Sequence, residues 1–233
     1  MKGVSKVWGV VLSAVILLGG AFLPSICAAE DQGKLDSRVK DARLVLMEMQ
    51  DMPDTSIPRD LLKKCSGIAI FPSVLKAGFG IGGQYGQGVL LNRDAKTGEW
   101  SAPMFLSIGG ASIGFQIGGQ ATDMILVIMN ERGMDSLSHG NVTLGGDASI
   151  AAGPLGRDAS IGSDVLIKSG IFSYSRSKGL FAGISLKGAI VGPMKNLNQE
   201  YYGEGVTARD ILFSGKVAPT EEGKQLIEVL SKY

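Results

Sequence analysis

The sequence predicts a single α+β domain, in which a glycine-rich, mostly antiparallel β-sheet or barrel-like core is flanked by an N-terminal amphipathic helix and by C-terminal helices. In the middle of the chain, apolar residues alternate with glycine and small polar residues, which is the period of a strand. Residues 34–51 instead place apolar residues at steps of three and four, which is the period of a helix. Helical spacing returns after residue 197.

Composition sets the outer limits on the class of protein. The chain has 233 residues, 34 of them glycine, which is about twice the average usage. This length suits one domain with an appended segment. The formal net charge is +1, so no overall basic field draws the chain to nucleic acid.

The N-terminus has the pattern of a secretory signal. Two lysines precede the uncharged stretch Val7–Leu23, a proline ends it, and Cys27-Ala28-Ala29 offers small residues for cleavage. We therefore expect residues 1–29 to be a signal peptide, and the protein to be exported to the periplasm or the outer membrane. Two alternatives stay open, an uncleaved membrane anchor and a lipoprotein with lipid on Cys27. After cleavage only Cys65 would remain, flanked by apolar residues and expected to be a buried thiol.

The segment 30–52 is predicted to be an amphipathic helix. Its apolar stripe consists of Leu35, Val39, Ala42, Leu46 and Met49. We expect Leu35, Val39, Leu46 and Met49 to face a membrane, while the cations near the stripe, Lys34, Arg38 and Arg43, contact lipid phosphates. In the alternative that the same spacing allows, the stripe docks on the protein's own domain.

The remaining elements follow within the predicted domain, residues 53–233. Pro58 suits the first turn of a short helix that ends near Cys65. Strands are predicted at 68–71, 78–85, 88–92, 100–108, 112–120, 123–128, 142–151, 161–169, 171–177 and 179–190, with a polar turn at 94–98. Helices are predicted at 130–137, capped by Asn130, and at 197–202, 207–213 and 220–230, the last capped by Thr220.

Two patterns resemble catalytic motifs but lack their context. The spacing Gly78-x-Gly80-x-x-Gly83 fits a dinucleotide fingerprint, yet the alternating pattern continues where a helix should begin. Ser112 lies in a nucleophile-elbow pattern, but strand-like sequence follows it, and His139 comes too soon for that fold. One histidine and one cysteine outside the signal make no zinc site. We therefore expect no enzyme activity, no cofactor and no metal.

Five segments resemble, in order, the signature of SYLF domains. They are Cys65–Val89 (CSGIAIFPSVLKAGFGIGGQYGQGV), Trp100–Met104, Ala151–Arg157, Ser173-Tyr174 with Ser177–Gly183, and Tyr201–Gly203. The resemblance extends over about residues 61–215, most of the chain that follows the signal.

The resemblance implies one mixed domain that binds membrane lipids. Eukaryotic members of the family bind phosphoinositides, yeast relatives also bind actin filaments, and an N-terminal amphipathic helix takes part in lipid binding. Bacterial relatives are exported and would meet neither actin nor phosphoinositides. We therefore expect a non-enzymatic exported protein that binds anionic phospholipid headgroups at a membrane surface.

The expected headgroup contacts are six cations, Lys34, Arg38, Arg43, Lys63, Lys64 and Lys76. A solvated helix end is the alternative for Lys63 and Lys64. Two other functions remain open for the whole domain. One is a structural or protein-interaction module of the cell envelope, whose strand edges pair with a partner. The other is a carrier that holds lipid in an internal cavity.

Overall fold

The computed structural model describes residues 23–50, 57–155, 170–177 and 180–233, and it shows a curled, mostly antiparallel sheet with helices packed against it. The helices are α1 (Leu23–Gln50), α2 (Arg59–Lys64), α3 (Glu131–His139), α4 (Lys195–Tyr202), α5 (Ala208–Leu212) and α6 (Glu221–Leu230). The strands are β1 (Gly67–Asn92), β2 (Met104–Ile128), β3 (Val142–Thr143), β4 (Ile150–Ala152), β5 (Ile171–Ser177), β6 (Leu180–Gly183) and β7 (Ile190–Pro193). The predicted α+β class is confirmed.

Strands β1 and β2 form one long antiparallel ribbon of 26 and 25 residues. Its register runs from Gly67 opposite Ile128 to Leu90 opposite Met104. The sequence predicted six separate strands here, and the division is wrong because the pairing continues through the intervals between them. Glycine keeps its backbone donor and acceptor, so pairs such as Gly78 with Gly118 continue the ladder.

The ribbon bends back so that the two halves of β1 touch. A Cβ atom added to Gly88 would overlap the carbonyl oxygen of Ile70, and one added to Gly86 would lie 2.6 Å from a methyl carbon of Val74. Glycine at these positions allows two backbones to approach closely. The alternating glycines of the sequence therefore permit the curl of the sheet.

The second half of the sheet forms around β2, which has different neighbours at its two ends. Residues 106–109 pair with β7, whereas 123–128 pair with β5. The strand order is β3-β7-β2-β5-β4, with β1 on β2 and β6 on β5, and only the β4–β5 pairing is parallel. Because one strand belongs to two parts of the sheet, the sheet closes partly on itself and gives the barrel-like core that the sequence predicted.

Two predicted strands are shorter in the structure than expected. Segment 142–151 divides into β3 and β4 around Gly145, whose φ is +82°. Segment 179–190 divides into β6 and β7, and Gly188 before β7 has a φ of +86°. Both glycines adopt the left-handed conformation that a strand does not use. The predicted strand 161–169 and most of the signal lie outside the described residues.

Several helix boundaries follow the predicted caps. The side chain of Asn130 accepts a hydrogen bond from the Gly133 amide, and Thr220 does the same for Gly223. Thr207 forms a capping box with Asp210. Helix α1 begins at Leu23, earlier than the predicted residue 34. Within the described chain, no helix, α1 included, is long and apolar enough to span a bilayer.

Both faces of the sheet carry buried side chains among the described residues, which shows where the core lies. One face packs on α1, α2, α4 and α6, through residues that include Ile68, Ile70, Val89, Phe105 and Tyr174. The other face packs on α3, α5 and the loops around β3, through residues that include Phe71, Leu90, Met104, Leu126 and Met134. A sheet covered on both sides leaves the outer surfaces of the helices and the two ends of the sheet for recognition.

Candidate functional site

The apolar stripe of α1 lies in the core of the domain. Leu35, Val39 and Leu46 are buried and belong to the cluster between α1 and the sheet. The side chain of Met49 lies outside the described part of α1. The stripe that was expected to face a membrane is therefore covered by the domain itself, as the alternative reading of the same spacing allowed. A membrane could contact it only after α1 had left the sheet.

Polar contacts hold both sides of α1 in place. On one side, the hydroxyl of Tyr201 donates a hydrogen bond to Asp36. Arg43 forms a 3.8 Å ion pair with Glu222 of α6 on the same side. The carboxylate of Glu48, near the end of α1, pairs with Arg176 of β5. These contacts fix the rotation of the helix about its axis, so that its apolar face stays on the sheet.

Arg176 also takes part in a polar network that reaches a bulge in β1. Its Nε donates to Asp123 of β2 over 2.8 Å, and the other oxygen of Asp123 accepts from the Ser73 amide over 2.9 Å. Ser73 has a φ of +53° and lies in the bulge between Phe71 and Val74. Burial raises the pKa of Asp123, while the Ser73 amide opposes that rise. This series of polar contacts, from Glu48 to Ser73, thus connects α1 to the bulge at which β1 changes register.

The cations near the stripe of α1 differ in how freely they meet solvent. Lys34 is exposed, whereas Arg38 and Lys76 are half-buried, and burial lowers the pKa of both. The Nη1 atom of Arg38 is buried without a hydrogen bond among the described residues. Arg43 is engaged with Glu222. A headgroup phosphate can therefore reach Arg38, Arg43 and Lys76 only with rearrangement.

Lys63 and Lys64 are exposed at the C-terminal end of α2, unlike the partly buried or paired cations of α1 and β1. Arg93, from the end of β1, donates to the carbonyl oxygens of Leu62 and Lys63 over 3.2 and 2.6 Å. Its guanidinium also lies 5.7 Å from the ring centre of Trp100. Arg93 thereby holds the end of α2 against the β1–β2 turn and fixes the place of the two lysines.

A cleft of about 620 Å³ opens next to this helix end. It lies between the β1–β2 turn, α3 and α5, and its lining includes Lys96, Arg132, His139, Arg209 and Phe213. The end of the domain that carries Lys63 and Lys64 therefore has three further exposed cations around a concave surface, in addition to the engaged Arg93. We call Lys63, Lys64, Lys96, Arg132 and Arg209 the cationic end.

Sequence reasoning missed Lys96, Arg132 and Arg209 as functional residues. Each stands alone in the sequence, in a turn, at the start of α3 and in α5, and no spacing connects them. Only the packing of these three elements around one cleft brings them together. An unpaired cation near a helix start or in a polar turn is the only signal, and it is too common to be specific.

The two catalytic-looking patterns are built into continuous strands. Gly83 and Ser112 lie within β1 and β2, which pair with each other there, so neither is followed by a helix. His139 ends α3 and pairs with Asp135, four residues earlier, at 3.2 Å. Among the described residues, no three His, Cys, Asp or Glu side chains are grouped so that they could hold a metal ion. The geometry gives neither motif the setting that its chemistry requires.

Comparison with known proteins shows that the sequence of this domain is similar to one protein family and to several of its members. The family model described as "Ysc84: Las17-binding protein actin regulator" matches residues 109–233. The SH3 domain-containing YSC84-like protein 1 of Rattus norvegicus is 36% identical over 205 residues, 85% of this chain and 59% of that protein. The LAS seventeen-binding protein 3 of Saccharomyces cerevisiae (strain ATCC 204508 / S288c) is 39% identical over 180 residues, 76% of this chain and 39% of that protein. The chain thus spans less than two thirds of the length of these relatives.

Proposed function

This chain belongs to the Ysc84, or SYLF-domain, family, which confirms the resemblance seen in its sequence, and from that premise we propose that it is a non-enzymatic protein that binds anionic phospholipid headgroups at a membrane surface. The names of its relatives describe binding and regulatory proteins, which fits a role in binding. The lipid ligand and the membrane are our inference.

The observation that carries this proposal is the exposure of the cationic end. Lys63 and Lys64 extend from a helix end that Arg93 holds in place, and Lys96, Arg132 and Arg209 are exposed beside them. A basic residue near an anionic bilayer contributes about 1 kcal/mol, so four or five together are enough for reversible attachment. Arg93 lines the same cleft as Lys96, Arg132 and Arg209 and contacts the Lys63 carbonyl oxygen, which connects the two groups of cations.

The sequence-predicted cations of α1 and β1 have a smaller part in this proposal. Arg38, Arg43 and Lys76 are partly buried or paired, and Lys34, although exposed, also has a partner. A buried or paired cation must lose its present surroundings before it can contact a phosphate. We therefore rank Lys63 and Lys64 above the other predicted headgroup contacts, and we keep the α1 stripe as a membrane contact only for an undocked helix.

Export is part of the same proposal. Residues 1–29 have the pattern of a secretory signal, so the anionic surface would be a periplasmic or outer-membrane leaflet. A lipid on Cys27 would strengthen attachment without changing the role of the cationic end. N-terminal sequencing of the protein recovered from cells, with mass spectrometry of its N-terminal peptide, distinguishes a cleaved, an anchored and a lipidated form.

A protein partner is the second candidate, because the matching family model is described as a Las17-binding protein actin regulator. On that reading the domain is an interaction module, and its cations or strand edges contact an acidic protein. Such a complex would form without lipid. The experiment that follows tells the two candidates apart.

Flotation of the full chain with vesicles tests the proposal. We compare phosphatidylglycerol-containing vesicles with neutral phosphatidylcholine vesicles at low and at high salt. We expect binding to the anionic vesicles that falls as salt rises, because screening weakens contacts between exposed charges. The apolar N-terminal stretch contributes equally to both vesicle types, so their difference reports headgroup charge. Equal flotation with both vesicles at either salt would contradict the proposal and make an acidic protein partner the better candidate.

A further inference from the structure

We propose that the cleft at the cationic end binds one phosphate monoester group, with Arg132 and Arg209 as its principal ligands and Lys96 at its edge. The inference rests on the proposed headgroup binding and deepens it, because it replaces a diffuse charged surface with a site for a defined chemical group. The group could be carried by a lipid headgroup or by a small soluble molecule, and the experiment below distinguishes the two sources.

The first argument is the shape of the cleft. Its volume of about 620 Å³ lies within the range of small-molecule sites, which is about 300–1,000 Å³. Three separate elements form its walls, the β1–β2 turn, α3 and α5. The turn is rigid, because Asp94 accepts hydrogen bonds from the amides of Lys96 and Thr97, both at 2.8 Å. The position of Lys96 is therefore set by the fold.

The second argument is the state of the charges in the cleft. Among the described residues, no side-chain hydrogen bond or ion pair occupies Arg132 or Arg209, whereas the charge of Lys96 acts on the neighbouring Asp94. Two of the three acidic residues in the lining are already engaged. Asp94 holds its own turn, and Asp135 pairs with His139. The whole lining carries four Lys and Arg side chains, with Arg93 added to these three, against the carboxylates of Asp94, Glu131 and Asp135, so its net charge is positive and the cleft favours an anion.

The third argument is chemical, and it selects a phosphate over a simple carboxylate. A guanidinium offers parallel N–H donors that match two phosphate oxygens, and two such groups with an ammonium suit the three free oxygens of a monoester. A monoester has a third free oxygen and, near pH 7, a larger negative charge than a diester, so it engages three cations more strongly. The site should therefore prefer a monoester over a diester that is equally accessible.

Phe213 gives the cleft a second kind of surface. Its side chain follows α5, lines the cleft together with Arg209, and is 43% exposed. A large apolar side chain at the wall of a charged cleft can cover the carbon skeleton that carries the phosphate. The ligand that fits is therefore a phosphate monoester on a small organic body, and inorganic phosphate should bind more weakly than glycerol 3-phosphate.

Calorimetry and flotation of the full chain test this site together. The soluble probes are inorganic phosphate and glycerol 3-phosphate. The vesicle probes are phosphatidic acid, a monoester, and phosphatidylglycerol, a diester, each mixed with phosphatidylcholine. The test variant is Arg132→Gln with Arg209→Gln, which are both exposed and should not affect folding. The matched control is Lys195→Gln with Lys232→Gln, two exposed cations that do not line the cleft.

We expect the test variant to bind glycerol 3-phosphate about tenfold more weakly than the unchanged protein, and the control to bind it equally well. We also expect unchanged protein to float better with phosphatidic acid than with phosphatidylglycerol. Loss of vesicle binding in the test variant alone, with the control unaffected, assigns the phosphate to a lipid headgroup. Thermal unfolding of both variants confirms that neither loses the fold.

The remaining outcomes separate this inference from the proposed function. If both variants float with anionic vesicles and bind glycerol 3-phosphate as well as the unchanged protein does, the cleft site is overturned and membrane binding stands. If no form floats but glycerol 3-phosphate binds only when Arg132 and Arg209 are present, the cleft stands with a soluble ligand and membrane binding is overturned. If neither vesicles nor soluble phosphates bind, both are overturned.

Discussion

Helix α1 and the two lysines that end α2, Lys63 and Lys64, were both expected to contact a membrane, but the structure buries the apolar face of the first and exposes the second. The apolar stripe of α1 is buried on the sheet, and ion pairs with Glu222 and Arg176 hold the helix there. The cations of α2, the β1–β2 turn, α3 and α5 are exposed at one end. The stripe therefore contributes to stability, whereas the cationic end is free to contribute to binding.

This difference shows that an amphipathic pattern predicts an apolar face but not the surface that covers it. A stripe of leucine and valine buries equally well against a bilayer or against a sheet, since the hydrophobic effect has no direction. The sequence of α1 describes the stripe but not the surface that covers it. A cationic surface differs, because charged side chains stay exposed unless they are paired. Substitutions that alter stability in one region and binding in the other test this division.

The strongest test is Leu46→Ala in α1. Leu46 is completely buried, so the loss of its side chain leaves a cavity between α1 and the sheet. We expect the free energy of unfolding to fall by about 2–5 kcal/mol. Leu44→Ala, at a residue of the same helix that is 40% exposed, should change it by less than about 0.5 kcal/mol. Urea denaturation measures both, and equal small effects would show that α1 is not docked.

The next test is Gly88→Ala, which addresses the curl of the sheet. The new Cβ would overlap the Ile70 carbonyl oxygen, and backbone cannot move aside as a flexible side chain can. We expect a destabilisation near the upper end of about 1–3 kcal/mol. Gly83→Ala is the control, because its Cβ would meet only the Gly110 oxygen, 4.0 Å away. If the two variants unfold at the same denaturant concentration, the two halves of β1 do not touch.

The polar connection between α1 and the bulge is tested by Arg176→Gln. The substitution removes the partner of both Glu48 and Asp123. We expect a loss of about 1.5–3 kcal/mol, the range for hydrogen bonds to charged groups. The control is Lys216→Gln, at a pair with Asp210 whose lysine is 73% exposed, and it should change stability by less than about 1 kcal/mol. Thermal unfolding monitored by circular dichroism gives both values.

Lys63→Glu with Lys64→Glu moves the test to the cationic end. Both lysines are exposed, so stability should change by less than about 0.5 kcal/mol. Binding to anionic vesicles should weaken by about 2 kcal/mol, or roughly thirtyfold. Vesicle titration at low salt measures the loss, with Lys195→Glu and Lys232→Glu as a charge-matched control. Undiminished binding in the Lys63 and Lys64 variant would remove these two residues from the proposed surface.

The smallest expected signal is at Cys65, at the junction of α2 and β1. Burial raises the pKa of its thiol to about 12, and Sγ lies 3.1 Å from the Leu62 carbonyl oxygen. In a Cys27→Ser background we expect no reaction with Ellman's reagent at pH 8, and full reaction after unfolding. Since the unfolded thiol ionises first, stability should fall as pH rises from about 8.5 towards 12. Rapid labelling of the folded protein would mean that α2 does not cover this thiol.

Much of the fold was accessible from local patterns. The caps Asn130 and Thr220 were visible because their hydrogen bonds reach only three residues along the chain. The strand segments were visible because side chains alternate within one strand. The continuity of β1 and β2 was missed, because glycine is equally compatible with a turn and with an extended ladder. Pairing with a neighbouring strand decides between them, and that pairing is not local.

The candidate site shows the same limit more strongly. Lys63 and Lys64 were found because they are adjacent in the sequence. Lys96, Arg132 and Arg209 were not, since they come from three elements that are distant in the chain. The roles expected for Arg38, Arg43 and Lys76 depended on exposure, which the sequence does not contain. Exposure follows from what packs beside each residue, and in this domain the packing involves α6 and the long ribbon.

By itself, the sequence determined the class of this protein, the family to which it belongs and the residues that alternate or cap within each element. These properties depend on neighbours within a few positions, or on ordered motifs along the chain. Only the tertiary structure decided which face covers the stripe of α1, how the ribbon bends, and which cations share a cleft. Those outcomes depend on close packing between segments that are far apart in sequence, because a buried surface is defined by its partner as much as by its own residues.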